Sequence, residues 1–352
     1  MADRRIPVTL LTGFLGAGKT TLLNRALRDP ALARAAVLIN EFGEVAVDHH
    51  LVRHVDDRVM VLDSGCLCCA MRGELARSLR ELFLAALARR LPAVDRVLVE
   101  TTGLADPAPV IHTLASDPFV AERFRCDGVV TAVDVTHAPS QLDHHREAVR
   151  QVVLADRLLL TKADLAKPEE IAAVTERLRR LNPSAPVGEV AEGQGAVALL
   201  FDAGIYGTQG QRPDLARWLA VAPVEPAGAL GSGGRPPRHD PAVTSFVLRF
   251  DEPLDWLDLV EALATLQASW GEGLLRVKGL LNVVGDPLPR VIQVVQHVTY
   301  PPVSLDAWPK EAPCNDRRSR LVFIVRGLDP HRVAEVFGLV IGVTPTLESG
   351  AR

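Results

Sequence analysis

The sequence has no surplus of positive charge, no long apolar run and no dispersed set of cysteines. Each of these lacks excludes something. Lys+Arg total 39 against Asp+Glu 43, a formal net charge of -4, which excludes a nucleic-acid binder working through a global basic field. No stretch approaches the ~18 apolar residues that a membrane-spanning helix needs, so neither nucleic acid nor membrane is an expected partner. There is no internal repeat. Of the 5 cysteines, three crowd into Cys66-Leu67-Cys68-Cys69, while Cys126 and Cys314 stand alone. That is not a disulfide framework; it points to thiol or metal chemistry in a reducing compartment. Arg4 and Arg5 before the apolar run Val8 to Ala17 mimic a secretory signal. The run contains Gly13 and Gly16 and flows into Gly18-Lys19-Thr20, so a soluble chain with a mature cytoplasmic N-terminus is expected. What is present is average globular usage, 48% hydrophobic and 23% charged over 352 residues. Disorder throughout is therefore excluded, and the length suits two or three domains.

Up to about residue 220, short apolar runs alternate with helical stretches. Val8 to Leu11, Ala36 to Ile39, Arg96 to Val99, Gly128 to Val133 and Arg157 to Leu160 read as strands. A helix is expected from Lys19 to Arg28 and another after the cysteines, with Leu75, Leu79, Leu82, Ala86 and Leu87 on one face. This alternation predicts an α/β domain over 1–221 with a mainly parallel sheet covered on both faces. Residues 222–241 mix five prolines with four glycines and read as a linker. Beyond it, 242–345 reads as a smaller α+β domain. Its expected elements are a strand from Val243 to Phe250, a helix from Leu254 to Trp270, strands flanking Gly285-Asp286-Pro287, a strand from Leu321 to Val325 and a helix from Pro330.

Gly13-Phe14-Leu15-Gly16-Ala17-Gly18-Lys19-Thr20 fits G-x-x-x-x-G-K-[ST]. Its glycines let backbone N–H groups converge on phosphate oxygens, with the positive end of the following helix behind them. Gly13, Gly16, Ala17, Gly18 and Thr21 are assigned to this cradle, Lys19 to the β/γ-phosphates and Thr20 to Mg²⁺. The run Leu158 to Asp164 is a buried strand ending in T-K-x-D. The Asp164 carboxylate can accept from N1–H and the 2-amino group of guanine, which adenine cannot supply. The Lys162 stem can lie over the base, and Thr161 keeps a hydroxyl where Asn is commoner. Asn40-Glu41-Phe42-Gly43-Glu44, with Asp48, and Glu100-Thr101-Thr102-Gly103 follow two other strands and should face the phosphates. Glu100 could bind Mg²⁺ through water or orient the attacking water, and the Gly103 N–H could contact the γ-phosphate. A helix-capping role for such acids stays open.

Cys66, Cys68 and Cys69 offer three soft thiolates within four positions. They cannot close a tetrahedral shell, so bound Zn²⁺ would keep an exchangeable fourth position, as delivery requires. Burial as small hydrophobes is the plain alternative. Glu44 and the pairs His49-His50 and His144-His145 are weaker metal candidates. Arg317, Arg318 and Arg320 read as a charged turn before a strand.

These signatures, in order, resemble the CobW-type P-loop GTPases, metallochaperones of the SIMIBI class, and among them the YjiA-like branch. The segments carrying the resemblance are Val8 to Leu23, Asn40 to Asp48, Gly65 to Cys69, Glu100 to Pro107, Asp127 to Asp134 and Ala155 to Leu165. In the second domain they are Leu274 to Gly279 and the region around Gln293 to Gln296. The resemblance implies GTP hydrolysis coupled to handing a transition metal, most often zinc, to a client metalloprotein. It implies a C-terminal CobW-type domain and admits a homodimer formed around nucleotide. Many members of the family it resembles carry a His-rich tract near the linker, where this chain has only His239, which argues against high-capacity metal storage. Other readings are a P-loop phosphotransferase with structural cysteines, a thiol switch or zinc buffer with vestigial nucleotide binding, and a GTPase chaperone for a cobalt-type metalloenzyme, since thiolates also accept Co²⁺.

Overall fold

The computed structural model describes residues 3–40, 59–62, 69–190, 195–201, 203–204, 218–219 and 243–349. The chain divides into two compact units, Met1–Glu176 with Pro186–Pro213, and Arg177–Ala185 with Asp214–Arg352. The linker read at 222–241 lies outside the described residues. Among the described residues, no helix is long and apolar enough to cross a membrane.

The strands of the first unit are β1 (Ile6–Thr12), β2 (Ala35–Asn40), β3 (Val59–Leu62), β4 (Arg96–Glu100), β5 (Phe124–Asp134), β6 (Arg157–Thr161) and β7 (Val187–Glu189). Along the chain between and after them run α1 (Lys19–Leu27), α2 (Cys69–Leu87), α3 (Ala108–Ser116), α4 (Pro118–Arg123), α5 (Ala138–His144), α6 (Arg146–Leu154), α7 (Pro168–Leu181) and α8 (Ala196–Leu200). The sheet order is β3-β2-β4-β1-β5-β6-β7, and every neighbouring pair is parallel.

Runs such as Val8 to Leu11 are apolar on both faces because helices cover both sides of a parallel sheet. Leu11, Leu23, Leu98, Val130, Leu159 and Phe201 meet in one core cluster. β5 is longer than the apolar run Gly128 to Val133 suggests, and all of it is buried. Its first three residues, Phe124 to Cys126, pair with Ile6 to Val8, and the register then slips by Asp127, so that Thr9 faces Gly128. Gly128, at φ 152°, is the residue that this bulge calls for. One helical reading needs correction. Leu75, Leu79 and Leu82 are buried as expected, but Leu87 is 71% exposed. Twelve residues at 100° each carry it about 120° round from Leu75.

The second unit holds β8 (Val243–Phe250), β9 (Leu274–Leu281), β10 (Arg290–Val295), β11 (Val298–Thr299), β12 (Val303–Ser304), β13 (Ser319–Arg326) and β14 (Thr346–Ser349), with α9 (Trp256–Trp270) and α10 (Pro330–Ile341). The sheet is antiparallel in the order β11-β10-β9-β13-β8-β14, with β12 on β10. Phe246 and Phe323 stack at 5.1 Å between ring centroids, and Phe337 of α10 meets the edge of Phe323 at 5.7 Å. α9 starts two residues later than the apolar pattern suggests. Asp255 accepts from the Leu257 and Asp258 N–H groups as its N-cap, and Leu254 is drawn into a bridge with Val283. The basic run also divides: Arg320 is not a turn residue but a buried strand residue. Its guanidinium forks onto the two Asp316 oxygens at 2.7 and 2.6 Å.

Candidate functional site

In a parallel sheet all strand ends with the same sense lie along one edge. β1 lies between β4 and β5, with Leu11 opposite Glu100 and Thr12 opposite Thr131. Asp134 in turn lies opposite Thr161. The segments after β1, β4, β5 and β6 therefore open side by side, although about 150 residues separate the first from the last.

After β1 the chain turns through Gly13, Gly16 and Gly18, all at positive φ (144°, 73° and 82°). At Gly13 the freedom is obligatory, because a Cβ would sit 2.4 Å from the Ala132 carbonyl oxygen. Gly18 is the N-cap of α1 in the left-handed region with no side-chain cap, so first-turn N–H groups face the loop. The loop is braced by Ala17 N–H donating to Phe14 O at 3.1 Å. Lys19 is buried, and its ammonium folds back to donate to Gly13 O at 2.9 Å and Phe14 O at 3.2 Å. A lysine held over the loop in this way is in place to trade those carbonyls for phosphate oxygens. Thr21 is exposed on α1.

The Thr20 hydroxyl donates to Glu100 Oε1 at 2.9 Å. This contact joins two residues predicted separately, and it puts a hydroxyl and a carboxylate oxygen together beside the loop. Downstream, Thr101 N–H donates to Leu11 O at 3.0 Å and Thr101 Oγ1 to Thr12 Oγ1 at 2.8 Å. Gly103 presses against the loop so closely that a Cβ would lie 2.7 Å from Leu15 N.

On the far side of the loop, the Thr161 hydroxyl is shared between Ala17 O at 2.9 Å and Val133 O at 3.2 Å. It thus ties the loop to two strands, a role the amide of the commoner Asn is not needed for here. Lys162, at φ 56°, turns its ammonium onto Asp134 Oδ2 at 2.7 Å. Asp164 is exposed.

Asp134 was not singled out from the sequence. Its signal is the one used for Glu100, an acid ending a strand at this edge. Its carboxylate is 2% exposed and carries an ion pair to Lys162. It also accepts from Thr136 N–H and Oγ1 at 2.9 and 2.6 Å and faces His137 Nδ1 at 3.0 Å. Burial by itself would raise its pKa; the bonds from Lys162, Thr136 and His137 together outweigh that and hold the carboxyl below the ordinary carboxylate range.

Cys66, Cys68, Glu44, His49 and His50 lie outside the described residues, and Cys69 is the first residue of α2. Among the described residues no group of three His, Cys, Asp or Glu side chains could hold a metal ion. His144 is exposed with Nδ1 on Ser140 O at 2.8 Å, while the His145 ring sits 4.6 Å from that of Phe14 in the glycine loop.

A strand, a glycine turn, a buried lysine and a helix, with a hydroxyl–carboxylate pair beside them, define a P-loop nucleotide-binding protein. The CobW/HypB/UreG nucleotide-binding domain matches residues 7–189, and the cobalamin synthesis protein cobW C-terminal domain matches residues 243–339. The chain belongs to this family, and its first unit is a P-loop GTPase domain. It is 35% identical to the zinc chaperone YjiA of Escherichia coli over 333 residues, which cover 94% of this chain and 98% of that protein. It is 30% identical to the zinc chaperone CobW of Pseudomonas aeruginosa, covering 83% of this chain and 80% of that one. The crystal structure of Zn(II)-bound YjiA GTPase from Escherichia coli matches with a TM-score of 0.66 at 30% identity, covering 96% of this chain and 99% of that one.

Proposed function

We propose that this protein is a cytoplasmic GTP-hydrolysing metal chaperone. It takes Zn²⁺ as cargo on Cys66, Cys68 and Cys69 and hands it to a client metalloprotein in step with its nucleotide. The observation that carries the reading is topological. The chain from β3 to α2, which contains the cysteines, leaves the carboxyl end of β3, and β3 runs parallel to β2 in the sheet whose same edge carries the glycine loop. The relatives named zinc chaperones support the choice of metal.

In this reading the backbone of Gly13 to Gly18 and the first turn of α1 through Thr21 cradle the phosphates. Lys19 swings from the Gly13 and Phe14 carbonyls onto the β/γ-oxygens. Thr161, Lys162 and Asp164 receive the guanine base. The hydroxyl of Thr20 and the carboxylate of Glu100 are hard oxygen donors of the kind Mg²⁺ takes, and their 2.9 Å contact fits that cation. When bound, Mg²⁺ supplies neutralisation of the charge that develops on the phosphates. The Gly103 N–H feels the third phosphate; when water attacks and phosphate leaves, that contact goes with it. The cysteine segment then loosens and the client takes the metal. Three thiolates leave the bound metal one exchangeable coordination position for an incoming ligand, and the same thiolates also accept Co²⁺ in place of Zn²⁺.

Coupling of ~1–3 kcal/mol between the two sites changes affinity about 5–150-fold. Zn²⁺ titration with Mg²⁺ and a non-hydrolysable GTP analogue, against GDP, should show tighter binding with the analogue. Changing Cys66, Cys68 and Cys69 together to Ser should abolish that binding. Equal Zn²⁺ affinity in the two nucleotide states would overturn the reading.

A further inference from the structure

Behind the Gly103 segment lies a side chain that the catalytic reading does not use. Gln151 of α6 is 1% exposed. Its amide Nε2 donates to two carbonyls of the segment, Gly103 O at 3.1 Å and Ala105 O at 3.0 Å. The backbone of Gln151 is itself pinned, its carbonyl accepting from Thr131 Oγ1 of β5 at 2.8 Å. The preceding residue acts on the same segment: Arg150 Nη1 donates to Asp106 Oδ2 at 2.7 Å. Two consecutive residues of one helix therefore grip the stretch from Gly103 to Asp106.

A merely space-filling residue would be apolar at this position. The neighbouring buried residues of α6 are Ala148, Val149, Val152, Val153 and Leu154. Gln151 instead places a full amide in the core and leaves Oε1 buried without a hydrogen bond from the described residues, an arrangement that costs stability. What it gains is control of a backbone. Gly103 has no Cβ, so its backbone dihedrals are restricted less than those of any other residue type. Tying its carbonyl and that of Ala105 to one rigid amide fixes that orientation against Leu15 of the loop.

We propose that Gln151 is a positioning residue for recognition of the third phosphate, acting through the Gly103 backbone so that the segment tells GTP from GDP. This rests on the reading of Gly103 as the γ-phosphate contact. The bonds from Gln151 and Arg150 end on Gly103, Ala105 and Asp106 and on no residue of the glycine loop, so the loss of Gln151 should fall on GTP far more than on GDP.

The test is Gln151→Met, which keeps the length of the side chain and removes both donors. Affinities for GDP and for a non-hydrolysable GTP analogue are measured with Mg²⁺, alongside kcat and KM for GTP. The expected result is about tenfold weaker analogue binding and a lower kcat with GDP affinity within about twofold, the loss of an interaction made only with the third phosphate. A parallel loss for both nucleotides would mark a structural role and overturn the proposal. A measurement on the unaltered protein stands independent of whether the variant folds. The ¹⁵N side-chain resonance of Gln151 should shift when GDP is exchanged for the analogue, and an unmoved resonance overturns the proposal. If the wild-type chain itself binds both nucleotides equally, the Gly103 reading fails and carries this one with it. If it discriminates and Gln151→Met discriminates equally, only the role of Gln151 fails.

Discussion

Asp134→Asn is the sharpest probe of the proposed base side of the site, because the substitution is nearly isosteric and changes only charge and hydrogen-bond character. The Asn oxygen can keep the two bonds from Thr136, at 2.9 and 2.6 Å in the native site. The amide nitrogen must then take the place of Oδ2 and face the Lys162 ammonium, donor against donor, where the native pair is 2.7 Å apart. A hydrogen bond to a charged group is worth about 1.5–3 kcal/mol. Lys162 is 37% exposed, so screening trims the Coulomb part, and about 2 kcal/mol is the reasoned loss. For a domain of this size that lowers Tm by about 4–8 °C. Lys162 also loses the anchor that directs its stem, so GTP and GDP affinities should both fall by about tenfold and by the same factor, since the phosphates are not involved. Thermal unfolding followed by circular dichroism, with fluorescent-nucleotide titration, measures both. The reasoning is refuted if Asp134→Asn unfolds within about 1 °C of wild type, or if it weakens GTP while sparing GDP.

Two further expectations follow from the same geometry. Asp164→Asn should turn base preference from guanosine toward xanthosine nucleotides, because the base edge that the carboxylate accepts from becomes a poorer match; competition binding with XTP measures this, and an unchanged GTP preference would remove Asp164 from the base site. Acid should destabilise both units. Asp134 in the first unit, and Asp316 in the second through its bond from Arg320, are both held below the ordinary carboxylate range in the folded protein. The unfolded chain therefore takes up protons first, so their contribution is complete above the unfolded value and is lost as pH falls from about 4 through the lower folded values. Urea midpoints measured between pH 7 and 3 should be flat at first and then drop, and a midpoint that rises on acidification would contradict the assignment.

What sequence reasoning reached was local. The glycine loop, the strand that precedes it and the helix that follows lie within residues 6–27, and their chemistry is written in consecutive residues. The strand–helix alternation predicted a mainly parallel sheet for the same reason, since each apolar run declares its own burial. Even so, local patterns misjudged particular residues. Leu87 continued the apolar pattern of its helix yet faces solvent. Arg320 looked like part of a charged turn, but its ion pair with Asp316 lets it enter a buried strand position. Leu254 looked like the start of a helix until the bridge to Val283 claimed it.

The remaining decisions were made by strand order. Thr20 meets Glu100 at a sequence separation of 80, Gln151 reaches Gly103 at one of 48, and Lys162 reaches Asp134 at one of 28. None of these pairs is visible as a motif, because nothing in the spacing says that β1 lies between β4 and β5 or that α6 backs onto the segment after β4. Residue types and short-range periodicity specify which groups the chain owns and which segments can bury themselves. Which of those groups become neighbours depends on how the sheet is threaded, and that is settled only when all the apolar runs are buried together.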